Sequence, residues 1–243
     1  MTIETDPDEF DEENVIPETD LDSLPAEGRS RSSSSSLRII RTLSALAAVS
    51  HLGAAPILRK DFEELLYFID CLLPSTGREV WEGVAIKNEE SPLRPDWSNA
   101  IDSLVGYGLA SVERDGDKLP ISRHCEFDIT DKGRSLIIQC RRDVREINVA
   151  WDASIEIGLA YLKNISMRDS EHRMIIFDET FRDARVARND VIDYGEYESL
   201  NLSSDLAMEM TRTLGIGIRN RAVFSDLSPQ VYLSHLSIEE KQQ

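Results

Sequence analysis

The sequence predicts a mainly α-helical chain with one small β-hairpin. Three observations carry that reading. Apolar residues recur at three- and four-residue steps in three segments between Leu37 and Val105, they alternate on either side of Asp115-Gly116 up to Ile129, and helical stripes return from Thr130 onward.

The elements follow in order. Residues 1–28 hold eleven acidic residues and no Lys or Arg, and residues 29–36 are two arginines among six serines. With little apolar surface to offset its ordering entropy, the stretch 1–36 is predicted to be a disordered, acidic and Ser-rich leader. It reads either as a solubilising tail or, through Phe10, Val15, Ile16, Leu21 and Leu24, as a short linear motif for a basic partner. Leu37, Ile40, Leu43, Ala47 and Ala48 predict a first helix that stops at Gly53. Phe62, Leu65, Leu66, Ile69 and Leu73 predict a second, closed by Pro74-Ser-Thr-Gly77. Pro92 and Pro95 bracket a loop, Asp96 caps a third helix, and Trp97, Ile101, Leu104 and Val105 form its apolar face.

Residues 109–114 and 125–129 then read as two strands, and the segment between them as a turn. Thr130 caps the next helix, whose apolar face begins with Gly133, Leu136, Ile137 and Cys140. Helix, helix, helix, hairpin, helix is the order of a winged-helix domain, which is expected over residues 37–146. Residues 147–243 are expected to form a helical partner-binding region.

Charge narrows the function. There are 45 acidic against 27 basic residues, a net charge of −18; without residues 1–28 the balance is 34 against 27, or −7. Stand-alone nucleic-acid binding depends on neutralising phosphates, and this chain is poorly supplied for it. In a winged helix that reads DNA the third helix enters the major groove. Here it carries Asp96 and Asp102 and no Lys or Arg. Basic residues gather later, at Arg134, Arg141, Arg142 and Arg145, with Arg134, Arg141 and Arg145 near one helical face. These four are the nucleic-acid candidates, with a solvated, ion-paired face as the plain alternative. Arg182, Arg185 and Arg188 alternate with Glu179, Asp183 and Asp190 and read as paired.

No catalytic set converges. Cys71, Cys125 and Cys140 form no CxxC pair, and His51, His124, His172 and His235 are scattered. Asp178 and Glu179 follow the apolar run Met174-Ile-Ile-Phe177, a place where a nuclease would hold magnesium, yet no second acid and lysine stand at matching spacing. Gly215-Ile-Gly217 lacks the third glycine and the Lys-Ser or Lys-Thr of a phosphate loop. No run reaches the roughly 18 apolar residues that span a bilayer. The expectation is a soluble, cytoplasmic, non-enzymatic protein without disulfide, metal or cofactor.

Three apolar stripes remain. Val144, Ile147, Trp151, Ile155, Leu159 and Leu162 continue the post-hairpin helix; Leu200, Leu202, Leu206, Met210 and Leu214 form a second stripe; Val231, Leu236 and Ile238 form a third. Each alone reads as core packing. Together they predict a docking surface built on Trp151, Ile155, Leu159, Leu162, Leu202, Leu206, Met210 and Leu214.

The segments Glu64-Leu-Leu-Tyr-Phe-Ile-Asp-Cys-Leu-Leu-Pro74, Ser91-Pro-Leu-Arg-Pro-Asp96 and Ala100-Ile-Asp-Ser-Leu-Val-Gly-Tyr-Gly-Leu109 resemble the middle component of bacterial ABC-three-component systems. That class includes the small accessory subunit of the Lamassu anti-phage system. The resemblance covers roughly residues 57–133 and implies an adaptor that accompanies a coiled-coil ATPase of the SMC or Rad50 type and a separate effector. The charge balance leaves contact with DNA to the complex, the lack of a long apolar run predicts no membrane association, and the apolar stripes leave room for a homodimer. The alternative is a winged-helix transcriptional regulator, which would need the basic third helix or wing that this chain lacks.

Overall fold

The structure, a computed structural model, describes residues 26–78, 84–88, 91–113, 122–165, 174–183, 191–193, 201–214 and 221–240. The chain divides into two units, residues 1–35 and 36–243. The architecture is mainly helical with small antiparallel sheets.

Helix α1 (Ala26–His51) starts eleven residues before the expected Leu37, so the leader is not unstructured throughout. The physical reason is cooperativity. Leu43 and the five residues from Ala45 to Val49 are buried and nucleate the helix, and extending it through serine costs only about 0.5 kcal/mol per residue relative to alanine. Residues 1–25, with the acidic motif candidates, lie outside the described residues.

A two-residue strand, β1 (Ile57–Leu58), leads directly into α2 (Arg59–Leu72) and a 3-10 turn (Leu73–Thr76). Twelve of the fourteen residues of α2 are buried. A helix covered on all sides is the centre of its domain, and α2 packs against β1, against residues 91–93 and against the helices at residues 145–165 and 202–213.

Strands β2 (Val84–Asn88) and β3 (Ser91–Leu93) occupy the segment expected as a Pro-bracketed loop. Pro92 is tolerated because β3 pairs only with β2 and is an edge strand. Helix α3 (Pro95–Gly106) takes Pro95 at its first turn and Arg94 as its N-cap, so Asp96 is not the cap. Asp96 instead pairs with Arg38 at 2.7 Å.

The hairpin strands are β4 (Ala110–Glu113) and β5 (Glu126–Ile129), in register Ala110↔Ile129 and Val112↔Phe127. β1 adds to the far side of β5, giving the order β1-β5-β4. The expected turn at Asp115-Gly116 lies outside the described residues. Thr130 caps α4 (Asp131–Asp143) as expected, its hydroxyl accepting from the Gly133 N–H at 3.1 Å.

The post-hairpin helix is not continuous. It breaks at Val144, which is extended, and resumes as α5 (Arg145–Ile165). No Gly or Pro marks the break. Asn148 compensates it: its amide donates to the Arg141 carbonyl at 2.6 Å, satisfying an acceptor that the end of α4 leaves open. The expected domain boundary at 146/147 also does not divide the core, because α5 buries Ile147, Ile157, Ala160 and Tyr161 against the same cluster as α2.

A 3-10 turn (Met174–Phe177) and α6 (Glu179–Asp183) follow, then β6 (Val191–Asp193), which pairs with β2 to give a second sheet of order β3-β2-β6. Helices α7 (Leu202–Thr213) and α8 (Arg221–Glu240) pack on each other, and α8 packs on α5. Among the described residues no helix is long and apolar enough to cross a membrane.

Gly133 locks α4 to the sheet. A Cβ there would collide with the Leu109 carbonyl oxygen and come within 2.8 Å of Ile129 Cγ1, and backbone cannot step aside as a flexible side chain does. Gly133→Ala should therefore destabilise the fold by about 1–3 kcal/mol despite the higher helix propensity of alanine. Urea unfolding measures it; an unchanged midpoint would show that α4 is free to shift.

Candidate functional site

Polar chemistry in the described residues concentrates inside the fold. Asp178 is fully buried at the start of α6 and no cation pairs with it at the distance of a salt bridge among the described residues. Four donors address its carboxylate instead. Oδ2 accepts from the Tyr67 hydroxyl at 2.6 Å and the Phe181 N–H at 2.9 Å; Oδ1 accepts from the Ser203 hydroxyl at 2.7 Å and the Tyr232 hydroxyl at 2.8 Å.

Thr180 and Ser203 extend this knot reciprocally: the Thr180 N–H donates to Ser203 Oγ at 3.2 Å and the Ser203 N–H to Thr180 Oγ1 at 2.9 Å. Asn201 caps α7 by accepting from the Ser204 N–H, and its amide donates to the Cys71 carbonyl at 2.7 Å. α2, α6, α7 and α8 are thus tied to one another through a single carboxyl group.

Burial pushes the Asp178 carboxyl above its ordinary value, and the hydrogen bonds from Tyr67, Ser203, the Phe181 N–H and Tyr232 oppose that rise. Burial, reinforced by the Asp178 charge, pushes both the Cys71 thiol and the Tyr232 phenol well up. A phenol and a thiol held protonated act as donors here, not as nucleophiles. Both oxygens of Asp178 already accept two bonds each, which leaves no lone pair aimed at a cation. The magnesium position considered for Asp178 and Glu179 therefore does not form at Asp178. Among the described residues no group of three His, Cys, Asp or Glu side chains is placed to hold a metal.

A second buried group is built on Arg59, Glu63 and Asp70 of α2. Arg94 pairs with Asp70, and its guanidinium lies 5.0 Å from the centre of the Trp97 ring. Arg59 bridges Glu63 and Asp102, each at 2.9 Å, and Arg123 reaches Glu63 at 3.1 Å. Asp96 and Asp102, the acids of α3, are thereby engaged within the chain, and α3 has no basic side chain for phosphate.

The basic candidates do not share one helical face. Arg134 approaches Asp128 at 3.8 Å, Arg141 stacks 4.3 Å from the Trp151 ring centre and bonds Asn148, and Arg142 is exposed at the end of α4. Arg145 is exposed too, but the break at Val144 puts it on α5, so the seven-and-four spacing does not run along a single helix.

The docking candidates separate into two groups. Trp151 is half-buried and taken up by Arg141 and by the His51 ring, 5.7 Å away. Ile155 and Leu162 are half-buried and Leu159 is exposed, while the core face of α5 is the neighbouring one with Ala150, Ala153, Ile157 and Tyr161. On α7 the stripe leads further. Leu206, Met210 and Leu214 face Leu227, Val231 and Ile238 of α8 across a groove of about 690 Å³. Leu214 is 62% and Ile238 55% exposed, so the lips of the groove are apolar and open. Leu202 is half-buried and lies outside it.

Sequence reasoning found one side of this groove from the four-residue steps of α7. It missed the side-chain partners of Asp178, which come from positions 25 to 111 residues away. The chain matches no known family model, no curated protein and no solved structure.

Asp178→Asn replaces one twofold acceptor by an amide that meets two donors. The expected loss is about 1–3 kcal/mol for each donor left unsatisfied, read by thermal or urea unfolding. Because the folded carboxyl titrates above its unfolded value, its protonation favours the fold: this contribution is complete below the unfolded value near 3.8 and is lost as pH rises through the folded one. The advantage of the parent over Asp178→Asn should accordingly widen from about pH 7 toward about pH 4.5. A narrowing gap would mean that the donors outweigh burial.

Proposed function

We propose that this chain is a non-enzymatic adaptor subunit whose partner face is the α7–α8 groove. The observation that carries the reading is the open apolar groove, with Leu214 and Ile238 exposed on its lips. Isolated exposed apolar side chains are ordinary, but a contiguous apolar cleft on a surface marks a place of association. Among the described residues Asp178, Tyr67, Ser203 and Tyr232 are engaged in holding the helices together.

The class of complex follows from the resemblance. Its segments fall on α2 with its 3-10 turn, on β3 with the start of α3, and on α3 up to the residue before β4. The order α1-β1-α2-β2-β3-α3-β4-β5 with the sheet order β1-β5-β4 supports a winged-helix-like module interrupted by β2 and β3, with a core that continues into α5. On this reading the chain works in the cytoplasm beside an SMC- or Rad50-like coiled-coil ATPase and an effector in anti-phage defence, and meets DNA only through the complex. The regulator reading loses ground because α3 presents no Lys or Arg to a major groove.

Co-expression with the products of the neighbouring genes and pull-down on this chain, read by mass spectrometry, tests the proposal. The parent should retain the ATPase and effector. The double variant Leu214→Glu, Ile238→Glu should lose at least about tenfold in yield, since two carboxylates would be carried into an apolar contact. Both residues are exposed, so its melting temperature should match the parent's. Full recovery of the partners by the double variant would remove the groove from the interface.

A further inference from the structure

We propose that the α7–α8 groove receives an amphipathic helix from the partner, with an apolar stripe about three turns long and lysines or arginines along one flank. This rests on the adaptor reading and names the chemistry of the contact.

Length sets the first requirement. At 1.5 Å per residue, Leu206 to Leu214 spans about 12 Å of α7 and Leu227 to Ile238 about 16 Å of α8. A helix laid between two helices meets such a trough with residues at i, i+3 or i+4, and i+7, which is two to three turns. An enclosed small molecule fits less well, because such ligands are buried in closed pockets and this cleft ends in exposed apolar lips at Leu214 and Ile238. Met210, unbranched and polarisable, lies in the floor and can adapt to the side chains presented to it.

Charge sets the second. Among the described residues no Lys or Arg lines the groove, and its ionisable side chains are Glu209 and His235. Asp205, one turn earlier on α7, is exposed on the same flank, and Arg212 lies 3.3 Å from Glu209. With Asp205 and Glu209 against Arg212, this flank carries a surplus of one negative charge on a chain whose net charge is −18. A second copy of this chain would bring Glu209 against its like, together with two strongly negative bodies, whereas a basic flank gains attraction at every approach.

The test uses the full-length protein and labelled synthetic helices of about 16 residues, with leucine at i, i+3, i+4 and i+7 and either lysine or glutamate on the flank, read by fluorescence anisotropy. The lysine peptide should bind at least about tenfold more tightly than the glutamate peptide, with a gap that closes as salt is raised. Glu209→Lys should shrink or reverse that preference, and Leu214→Glu, Ile238→Glu should remove binding of both while the melting temperature is kept. Equal binding of the two peptides, or none, overturns the inference. So does a parent dimer in sedimentation equilibrium that the double variant breaks, since a second copy would then be the occupant. If the parent binds neither peptide yet retains its neighbours in pull-down and the double variant does not, the basic helix is wrong and the adaptor reading stands. If the lysine peptide binds but no neighbour co-purifies, the adaptor reading fails and the helix groove stands.

Discussion

A buried carboxylate held by four hydrogen-bond donors, with no cation within salt-bridge distance among the described residues, is the constraint on which the arrangement of the helices depends. Asp178 has left water completely, and the loss of hydration is large unless fixed dipoles replace it. Here the replacement comes from two tyrosines, a serine and a backbone N–H on separate elements. Moving α2 withdraws the Tyr67 donor, moving α7 withdraws Ser203, and moving α8 withdraws Tyr232. Each loss leaves a charge in a medium that screens it weakly. The knot therefore specifies one mutual position for helices whose apolar faces alone would tolerate several.

The same economy shapes the surface. The arginines with the most geometric purpose are turned inward: Arg59 and Arg94 are almost fully buried, and Arg141 lies over Trp151. Between them α7 and α8 leave an apolar trough with Leu214 and Ile238 on its lips. A fold that spends its hydrogen-bonding groups on position and leaves an open hydrophobic trough is organised for association, where aromatic and aliphatic contacts supply affinity and charge supplies selectivity.

Much of the helical framework was legible because it obeys a short period. The stripes of α2 and α3, the Thr130 cap and the strands 110–113 and 126–129 all follow from neighbours within a few residues. What escaped is non-local or compensated. β1 is two residues long, and β2 finds β6 across about a hundred residues, with Ala85 opposite Ile192. The break at Val144 has no Gly or Pro because Asn148 supplies the missing bond from the next helix. The start of α1 was placed late because a serine run reads as flexible, although packing further along carries the helix through it. At the site, Leu206, Met210 and Leu214 showed their period, but the opposing wall at Leu227 does not announce which helix it faces. Trp151 drew attention as an anchor because size and aromaticity are visible in a sequence, while the Arg141 and His51 that engage it are not.

The knot and the groove are physically linked. Asn201, Ser203 and Ser204 fix the first turn of α7, and Tyr232 fixes the middle of α8, one residue from Val231 in the groove wall. The trough is therefore held at its α7 start and along α8 by hydrogen bonds that do not face the occupant, while Leu214 and Ile238 stand at the less constrained lips. A site built this way loses little conformational freedom when it is filled, because its floor is already in place. By mass action, whatever fills it also holds α7 against α8, so binding in the groove and integrity of the Asp178 knot stabilise each other.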